Sequence, residues 1–509
     1  ASPFSITGQP NAMGGREVGG LANMLAAHMN IEDETARDRV QRFWQSPAIA
    51  QKSGLKAVDL FRAVREGKVK ALWIMATNPA DSLPEADLVQ EALRICPFVV
   101  VSDAIRETDT TRFADVLLPA ATWGEKDGTV TNSERRISRQ RRFLPLPGEA
   151  RPDWWALAQV AQRMGFAGFD YPNAAAIFRE HAALSAFENE GSRDFDIGAH
   201  AGIDDDAFDA LAPFQWPQPK GAPAGETRFF GNGRFYTPDE KARMIATPAP
   251  AASKPLSDAY PFWLNTGRIR DQWHTMTRTA KTPRLTGHYG EPFCELHPDD
   301  ARAAGVTPAS LVTVESAHGT AILRALITPR QRRGSVFAAM HWTDQYASRA
   351  RADALVDALT DPVSGQPGLK RTPVSVKPFA AGWYGFAVSA NKPLPQAADY
   401  WALSPAEGGW RLELAGLSAP EDWQAFARHL FGLADEGLDW IAYYDRRVGI
   451  ARLAVFDGDR LIGALFVASE PVALSRAFLA GALPGAHPGR ARYRLLAGQG
   501  GADRPDPGI

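Results

Sequence analysis

The chain has 509 residues, which corresponds to about three domains at the usual ~150 residues each. Its apolar residues (45%) and charged residues (22%) are in the proportions of an ordinary globular protein. A formal charge of −2 gives no support to a nucleic-acid or anionic-membrane surface, and no run of about 18 apolar residues offers a membrane span. Two cysteines, Cys96 and Cys294, cannot by themselves form a disulfide framework, a zinc site or an iron–sulfur cluster.

The first ~170 residues alternate short apolar strands with a helical pattern. Val69–Ala76 is an apolar run that ends in a turn, and apolar residues then recur at helical spacing over 88–95. Phe98–Val101 and Val116–Leu118 are two further apolar runs. Continuous rather than alternating apolar strands predict a parallel sheet that is covered on both faces. The loops that follow such strands lie at the carboxyl edge of the sheet, where α/β proteins bind ligands.

The rest of the chain changes character twice. Residues 185–260 are rich in Pro, Ala and Gly and indicate surface connections and a domain boundary. Several short strands with turns between them, over 260–379, predict a compact barrel. The region after Gly382 contains a predicted helix and two predicted strands, at Pro420–Ala434, Ile450–Val455 and Leu461–Val467. We therefore expect three domains, at 1–250, 251–382 and 383–509.

Polar residues follow each strand of the predicted sheet. Asn78 comes after the first strand, Ser102 and Asp103 after the second, and Trp123–Gly128 after the third. Asn and Asp side chains at strand ends can bind a base or a ribose in nucleotide-binding folds. The alternative is turn chemistry, since the same residue types favour turns.

Two other segments are candidates for anion binding. Gly8–Gly20 holds five glycines around Arg16, and such a loop lets backbone amides and a guanidinium approach an oxyanion. Thr266–Thr275 packs Arg268, Arg270 and Trp273 into ten residues, which could bind phosphate and stack on a ring. The alternatives are a flexible loop for the first segment, and a solvated basic turn with Trp273 in the core for the second.

Taken together, five ordered segments carry a family resemblance. They are GQPNAMGGREVGGLANMLAAH, ATNPADSLP, VVVSDAIRETDTTRFADVLLPAATWGEKDGTVTNSERR, NTGRIRDQWHTMTR and HWTDQYASRARADALVDALTDPVSGQPGLKRTPV. This set resembles the molybdopterin oxidoreductases of the DMSO-reductase superfamily over about 2–379. Within the superfamily it is most similar to the C-terminal part of the catalytic subunit of bacterial assimilatory nitrate reductases.

The resemblance implies the fold and the cofactor. The expected fold class is α/β: a partial doubly wound parallel-sheet cofactor domain, then a double-psi, decarboxylase-like β-barrel capping domain, and a C-terminal α+β extension. The implied cofactor is bis(molybdopterin guanine dinucleotide)-molybdenum. By matching position, one guanine nucleotide is expected to contact Asn78, Ser102, Asp103, Lys126 and Asp153. A pterin and its pyrophosphate are expected to contact Thr266, Gly267, Arg268, Trp273, His274 and Thr275, with Trp342 and Lys370 on the barrel side and Arg16 near the metal as the catalytic residue.

The resemblance also implies the reaction, which is the reduction of nitrate to nitrite in a cytoplasmic enzyme. Electrons are expected from a donor protein or an NADH- or ferredoxin-linked reductase subunit, through 4Fe–4S and 2Fe–2S clusters outside this chain. Both ends of the chain look cut, because it starts at Ala1 without an initiator Met and ends in a Gly/Pro/Asp-rich stretch. The chain alone is therefore expected to be inactive.

Departures from the family pattern leave two alternatives open. The molybdenum cysteine and the 4Fe–4S motif lie upstream in the family, and Cys96 and Cys294 match neither, so no metal ligand is assigned in this chain. Arg349 occupies a place where other members carry a small polar residue. A formate dehydrogenase of the same superfamily is one alternative. The other is a non-catalytic scaffold subunit as in respiratory complex I, against which Asp103 and Lys126 argue.

Overall fold

A computed structural model describes residues 11–221, 228–244, 246, 254–362, 364–434 and 437–498. The first part of the chain is α/β, as predicted. Its elements in chain order are α1 (Ala12–Glu17), α2 (Glu34–Trp44), α3 (Ala57–Arg65), β1 (Leu72–Met75), α4 (Pro79–Ser82), α5 (Ala86–Ile95), β2 (Val99–Asp103), β3 (Val116–Pro119), β4 (Gly128–Thr131), β5 (Arg136–Gln140), α6 (Asp153–Arg163), α7 (Ala174–Ala186), α8 (Asp205–Asp209) and β6 (Phe214–Gln215).

The predicted parallel sheet is confirmed. Strands β1, β2 and β3 pair in that order, with Leu72 opposite Val99 and Val100 opposite Val116. The apolar side of α5 packs on this sheet through Val89 and Leu93, because these positions recur at helical spacing. Strands β1 and β3 are the two edges, and the residues of β3 are mostly exposed, so the expected cover on both faces is absent at β3.

Two expectations about this part of the chain are wrong. The glycine-rich stretch was expected to be a loop, but its described residues form the short helix α1, which is possible because Gly14 leaves room for the Asn11 side chain against the helix. Gly8 lies outside the described residues. Residues 185–260 were expected to be surface connections, yet Phe208 and Trp216 are buried in the core and β6 pairs with β5. These aromatic side chains bury more apolar surface than the surrounding Pro and Ala residues suggest.

The predicted barrel is also confirmed. Six strands close in the order β10-β8-β11-β7-β12-β9. The elements are β7 (Phe262–Gly267), α9 (Pro283–Thr286), β8 (Phe293–Leu296), α10 (Pro298–Ala303), β9 (Leu311–Glu315), β10 (Thr320–Ile327), β11 (Ser335–Ala339) and β12 (Lys370–Pro378). The pairs β11–β7 and β10–β8 are parallel and the other pairs are antiparallel.

The C-terminal region is an α+β unit. A six-stranded antiparallel sheet in the order β14-β15-β13-β18-β17-β16 carries helices on its faces. The elements are β13 (Trp383–Ser389), β14 (Tyr400–Ala406), β15 (Gly409–Gly416), α11 (Trp423–Leu430), β16 (Asp439–Asp445), β17 (Ile450–Asp457), β18 (Arg460–Ala468), α12 (Arg476–Gly481) and α13 (Ala491–Ala497). The predicted helix and two strands of this region correspond to α11, β17 and β18. No helix in the described part of the chain combines the length and the hydrophobicity needed to cross a bilayer.

The parallel-sheet unit and the barrel are joined by polar contacts at one edge. The backbone N–H of Asp344, in the connection after β11, donates to Asp109 Oδ2 at 2.7 Å. Gln345 Nε2 donates to the carbonyl of Glu107 at 2.8 Å, and the N–H of Glu85 donates to the carbonyl of Val356 at 3.1 Å. The carboxyl edge of the sheet therefore faces the barrel.

Candidate cofactor-binding site

Three predicted site residues lie at the carboxyl edge of the parallel sheet. Met75 pairs with Ser102 in parallel register, so Asn78, three residues after β1 ends, is on the same edge as Asp103, the last residue of β2. The convergence expected from the sequence is therefore present for these residues, because neighbouring parallel strands end on the same side.

The side chains of Asn78 and Ser102 already have partners within the protein. Asn78 Nδ2 donates to Asp81 Oδ2 at 2.8 Å, and its Oδ1 accepts from the Thr110 hydroxyl. Ser102 Oγ accepts from Trp73 Nε1 at 2.8 Å. Asn78 keeps one N–H and one lone pair for a ligand, and Ser102 keeps its hydroxyl proton and one lone pair.

Asp103 keeps acceptor capacity at this edge. Its Oδ1 accepts the backbone N–H of Ile105 at 2.8 Å, and the backbone N–H of Ala104 also hydrogen-bonds to the carboxylate. Burial raises the pKa of the Asp103 carboxyl, and the positive charge of Arg278 opposes this rise. An ionised carboxylate has about four lone-pair sites on its two oxygens, so Asp103 keeps sites that can accept the two N–H groups that guanine presents side by side.

Lys126 and Asp153 form one pair beside Asp103. Lys126 Nζ lies 3.0 Å from Asp153 Oδ2, and the negative charge of Asp153 contributes to the raised pKa of Asp103. Asp153 Oδ1 is buried and has no hydrogen-bond partner in the described structure. The predicted nucleotide contacts are thus within electrostatic range of one another, with one buried oxygen unsatisfied.

The other predicted contacts converge at one end of the barrel. Strands β7 and β11 run parallel, so the loop Thr266–Thr275 and Trp342 follow the same ends of adjacent strands. Thr266 Oγ1 donates to the carbonyl of Leu369 at 2.8 Å, next to Lys370. Gly267 allows close packing here, since a Cβ at this position would lie 2.7 Å from the Phe337 ring.

A residue that sequence reasoning missed holds this loop in place. His341 Nε2 accepts the backbone N–H of Ile269 at 2.9 Å, and its Nδ1 donates to the carbonyl of His274 at 2.7 Å. Burial lowers the pKa of His341 to about 4, so the imidazole is neutral with its proton on Nδ1. The sequence contains a signal for this residue, because His341 is next to Trp342 in the HWTDQ segment. Only Trp342 was predicted to belong to the cofactor site.

The basic and aromatic residues of the loop contact one another. The Arg268 guanidinium lies 4.9 Å from the centre of the Trp273 ring, and that ring meets His274 edge-on with centroids 4.4 Å apart. Burial, followed by the charges of Arg268 and Arg278, lowers the pKa of His274. Thr275 is buried. No described contact joins Arg268 or Trp273 to the sheet edge, so their role toward a pterin stays a prediction.

Trp342 and Lys370 lie on the barrel side. Trp342 is 1% exposed, and its Nε1 has no acceptor among the described residues. Lys370 begins β12 opposite Asn265, and burial lowers the pKa of its ammonium. Asp353 lies close enough to Lys370 to feel its charge, and burial raises the pKa of Asp353 to about 7.

Arg16 lies on α1, apart from the residues described above. Its side chain is exposed and makes no ion pair with any described residue. The next residue, Glu17, is buried and accepts from Thr131 Oγ1 at 2.7 Å and from Trp216 Nε1 at 2.8 Å. These two bonds anchor α1 to β4 and to the segment after β6, which leaves Arg16 available to an anion on a fixed support.

The arrangement suits a large polar organic cofactor better than a metal held directly by this chain. Three buried polar atoms at the predicted contacts lack partners in the described structure, namely Trp342 Nε1, Asp153 Oδ1 and Gln272 Oε1 of the loop. Buried polar groups are normally hydrogen-bonded, so unsatisfied ones at a site indicate a missing ligand or water. Within the described ranges, no cluster of three or more His, Cys, Asp or Glu residues could hold a metal ion, and Cys96 and Cys294 are buried and free.

Two protein-family models match the chain. A molybdopterin oxidoreductase model matches residues 6–163, which contain α1 and the parallel sheet. A molydopterin dinucleotide binding domain model matches residues 262–373, which contain most of the barrel. The two models together match more than half of the chain, and the C-terminal sheet lies outside both.

Curated relatives match at higher coverage. A nitrate reductase from Klebsiella oxytoca is 49% identical over 424 residues, which are 83% of this chain and 48% of the relative. The assimilatory nitrate reductase catalytic subunit of Bacillus subtilis is 32% identical over 74% of this chain and 51% of the relative. A formate dehydrogenase alpha subunit from Methanococcus maripaludis is 30% identical over 73% of this chain and 52% of the relative. The chain spans about half the length of the curated relatives it matches.

A solved structure has the same fold over much of the chain. Acetylene hydratase from Pelobacter acetylenicus superposes with a TM-score of 0.51 and 17% sequence identity, over 67% of this chain and 49% of that one. At this identity the similarity supports the fold and not the chemistry.

Proposed function

The chain belongs to the molybdopterin oxidoreductase family, and we propose that it forms part of a molybdenum-dependent nitrate reductase of the assimilatory type. The observation that carries this proposal is the 49% identity to a nitrate reductase over 83% of the chain. When bound, bis(molybdopterin guanine dinucleotide)-molybdenum would supply two electrons and take up the oxygen atom that nitrate loses. With two protons, the products are nitrite and water.

In this proposal, the residues at the sheet edge bind one guanine nucleotide. Asp103 accepts the two N–H groups of the guanine through the remaining lone pairs of its carboxylate, and Asn78 supplies its remaining N–H or lone pair. Lys126 contacts a phosphate or the ribose, with Asp153 holding its ammonium in place. Ser102 accepts from Trp73 and offers its hydroxyl proton and its second lone pair to the nucleotide.

The barrel end binds the second half of the cofactor. His341 fixes the Thr266–Thr275 loop by two hydrogen bonds, and Arg268 contacts the pyrophosphate. Trp342 Nε1 donates to a cofactor atom, which would satisfy an N–H that has no acceptor in the described protein. Lys370 adds a positive charge on the same side of the barrel.

Arg16 binds the substrate. Nitrate is a planar anion, and an unpaired guanidinium presents parallel N–H donors that match its geometry. The buried Glu17 fixes the helix that carries Arg16 through Thr131 and Trp216. Arg16 therefore orients nitrate and neutralises its charge, while the redox chemistry depends on the cofactor.

Electrons would come from outside this chain. We propose 4Fe–4S and 2Fe–2S clusters, and a cysteine ligand of molybdenum, in further parts of the protein, and a donor protein or an NADH- or ferredoxin-linked reductase as the partner. A cytoplasmic location fits an assimilatory enzyme.

The test uses the full-length protein. Purified enzyme with reduced viologen should convert nitrate to nitrite, and should contain molybdenum and guanine nucleotide. Arg16→Ala should raise the KM for nitrate or lower kcat while molybdenum content stays near normal, and Arg16→Lys should recover part of the loss. Unchanged kinetics in Arg16→Ala would contradict the assignment of Arg16.

Formate dehydrogenase remains the second candidate, because a formate dehydrogenase subunit shares 30% identity over 73% of the chain. The two reactions are separated by one preparation assayed both ways, for nitrite formed from nitrate and for viologen reduced by formate. Formate oxidation without nitrite production would favour this second candidate. Absence of molybdenum and guanine nucleotide would favour a scaffold protein.

A further inference from the structure

A buried chain of hydrogen bonds connects Asn78 to the barrel through two carboxyl groups. Asn78 Nδ2 donates to Asp81 Oδ2 at 2.8 Å, and Asp81 in turn hydrogen-bonds to Asp109. Asp109 Oδ2 accepts the backbone N–H of Asp344 at 2.7 Å. Asp81 and Asp109 are 4% and 2% exposed, so water does not compensate for their charges. This series of hydrogen bonds therefore runs from the edge of the parallel sheet to the loop that follows β11.

The geometry requires a proton between the two carboxyl groups. Two carboxylates that face each other away from water cannot both ionise without a large cost. Asp81 Oδ1 is buried and accepts no hydrogen bond from any described residue, whereas Asp109 has the N–H of Asp344 as a donor. The oxygen without a donor is the one that can carry the proton, so the arrangement is that of a carboxylic acid, Asp81, donating to a carboxylate, Asp109.

We propose that Asp81 is a positioning residue that stays protonated in the folded protein and, as a neutral acid, holds the Asn78 carboxamide and ties the sheet edge to the barrel. The positioning role rests on the proposed function, in which Asn78 contacts the guanine nucleotide. Asn78 Oδ1 accepts from the Thr110 hydroxyl, and the same hydroxyl accepts the backbone N–H of Ala80 at 3.2 Å. The carboxamide is therefore fixed from both ends, with Asp81 at one of them.

The charged groups around Asp81 and Asp109 do not compensate for a negative charge on both carboxyl groups of this pair. Burial and the neighbouring Asp109 raise the pKa of Asp81 well above its usual value, and the positive charge of Arg351 opposes them. Arg351 is itself shared, with its Nε 3.1 Å from Asp344 Oδ1 and its Nη2 2.5 Å from Asp87 Oδ1. The charged groups that face the pair from the packed elements are Asp87, Arg112, Asp344 and Arg351. The two negative charges and the two positive charges of these groups cancel. The protein therefore supplies no surplus positive charge that would favour the ionised form of Asp81.

The raised pKa predicts a direction of pH dependence. Above the usual aspartate pKa the unfolded chain releases the proton of residue 81 while the folded chain keeps it, so folding becomes less favourable as the pH rises toward the folded-state pKa. An asparagine is neutral at every pH and keeps a donor and an acceptor in the same place. As the pH rises above the usual aspartate pKa, Asp81→Asn should therefore lose less stability than the wild type.

The experiment measures thermal unfolding of the 509-residue chain from pH 5 to pH 9. The wild-type Tm should fall relative to that of Asp81→Asn by about 5 °C as the pH rises. Asp81→Ala should unfold earlier at every pH, and Asp59→Asn, an exposed aspartate on α3, should follow the wild type. The infrared band of protonated carboxyl groups should be weaker in Asp81→Asn than in the wild type by the contribution of one group, while the contribution of Asp353 is the same in both. Parallel Tm curves for wild type and Asp81→Asn, or an equal carboxyl band in both, would overturn the proposal.

A second measurement separates this inference from the proposed function. Titration with GMP at pH 7 should give the wild-type affinity in Asp81→Asn, which keeps a neutral donor and acceptor at this position, and at least fivefold weaker binding in Asp81→Ala. Equal GMP affinity in wild type and Asp81→Ala would overturn the positioning role. No GMP binding to any of the chains would contradict the guanine role of Asn78, while the Tm comparison would still decide whether Asp81 is protonated.

Discussion

His341 holds the two halves of the Thr266–Thr275 loop together, because its Nδ1 donates to the carbonyl of His274 while its Nε2 accepts the N–H of Ile269. One neutral ring thus satisfies a backbone donor and a backbone acceptor five residues apart. A protonated ring would present a donor to the N–H of Ile269 and break that bond. The loop conformation therefore depends on His341 remaining uncharged.

This dependence predicts an acid sensitivity. The pKa of His341 is lowered to about 4 in the folded protein, whereas an unfolded histidine titrates near 6.5. Below pH 6.5 the unfolded chain takes up a proton that the folded chain refuses, so stability is lost as the pH falls toward 4, by about 2 kcal/mol between pH 7 and pH 5. Burial also lowers the pKa of His181 to about 4, so both chains lose stability, and urea unfolding should show a loss about 2 kcal/mol larger in the wild type than in His341→Phe. His429→Gln, at an exposed position on α11, serves as the control and should keep the wild-type loss.

Trp342→Phe should separate cofactor binding from stability. The Nε1 of Trp342 has no acceptor in the described protein, so removing it breaks no internal hydrogen bond, and the smaller ring costs about 1–2 kcal/mol in packing. In the full-length enzyme, molybdenum content should fall several-fold. The matched control is Trp383→Phe, because Trp383 Nε1 donates to the carbonyl of Ser418 at 2.9 Å. This control should lose stability and keep its molybdenum. If Trp342→Phe also loses stability and keeps its molybdenum, Trp342 is a core residue that does not contact the cofactor.

Lys126→Gln should change ligand binding more than folding. Lys126 and Asp153 are 30% and 27% exposed, and a partly exposed ion pair of this kind contributes no more than about 1 kcal/mol. GMP affinity, measured by titration, should nevertheless decrease several-fold, since the ammonium is proposed to contact a phosphate or the ribose. Lys377→Gln removes a comparable lysine from the barrel, 3.6 Å from Glu315, and should leave GMP affinity unchanged. Equal GMP affinities of Lys126→Gln and Lys377→Gln would show that Lys126 does not contact the nucleotide.

The parts of the fold that could be predicted are those in which one local signal decides the structure. The apolar runs of β1 and β2 belong to strands whose side chains are buried or half-buried in the parallel sheet, and that pattern is visible in the sequence. The same reasoning placed Asn78 and Asp103 on one edge, since parallel strands end together. Positions of this kind need no knowledge of distant residues.

The parts that could not be predicted depend on contacts between distant segments. Trp216 is buried because its Nε1 reaches Glu17, 199 residues earlier in the chain, and nothing in the surrounding Pro-rich sequence indicates this bond. Likewise, Asp81 and Asp109 face each other because α4 and the loop after β2 are joined through Thr110, which bonds to Asn78 and Ala80. Taken singly, each is an ordinary turn aspartate, and the need for a shared proton becomes visible only when both are placed.

The two cysteines of this chain are not expected to bind the metal. A thiol must ionise to bind a metal. Cys294 lies in β8 with no exposed surface, and burial together with the charge of Glu295 raises its pKa to about 12, so it remains a thiol at neutral pH. Cys96 is buried at the end of α5, with its Sγ 3.6 Å from the carbonyl of Phe98. In the full-length enzyme, Cys294→Ala and Cys96→Ala should each cost about 1 kcal/mol of stability and leave molybdenum content and nitrite production unchanged. Loss of molybdenum in either variant, with its Tm near that of the wild type, would make that cysteine a metal ligand and contradict the proposal that the ligand lies outside this chain.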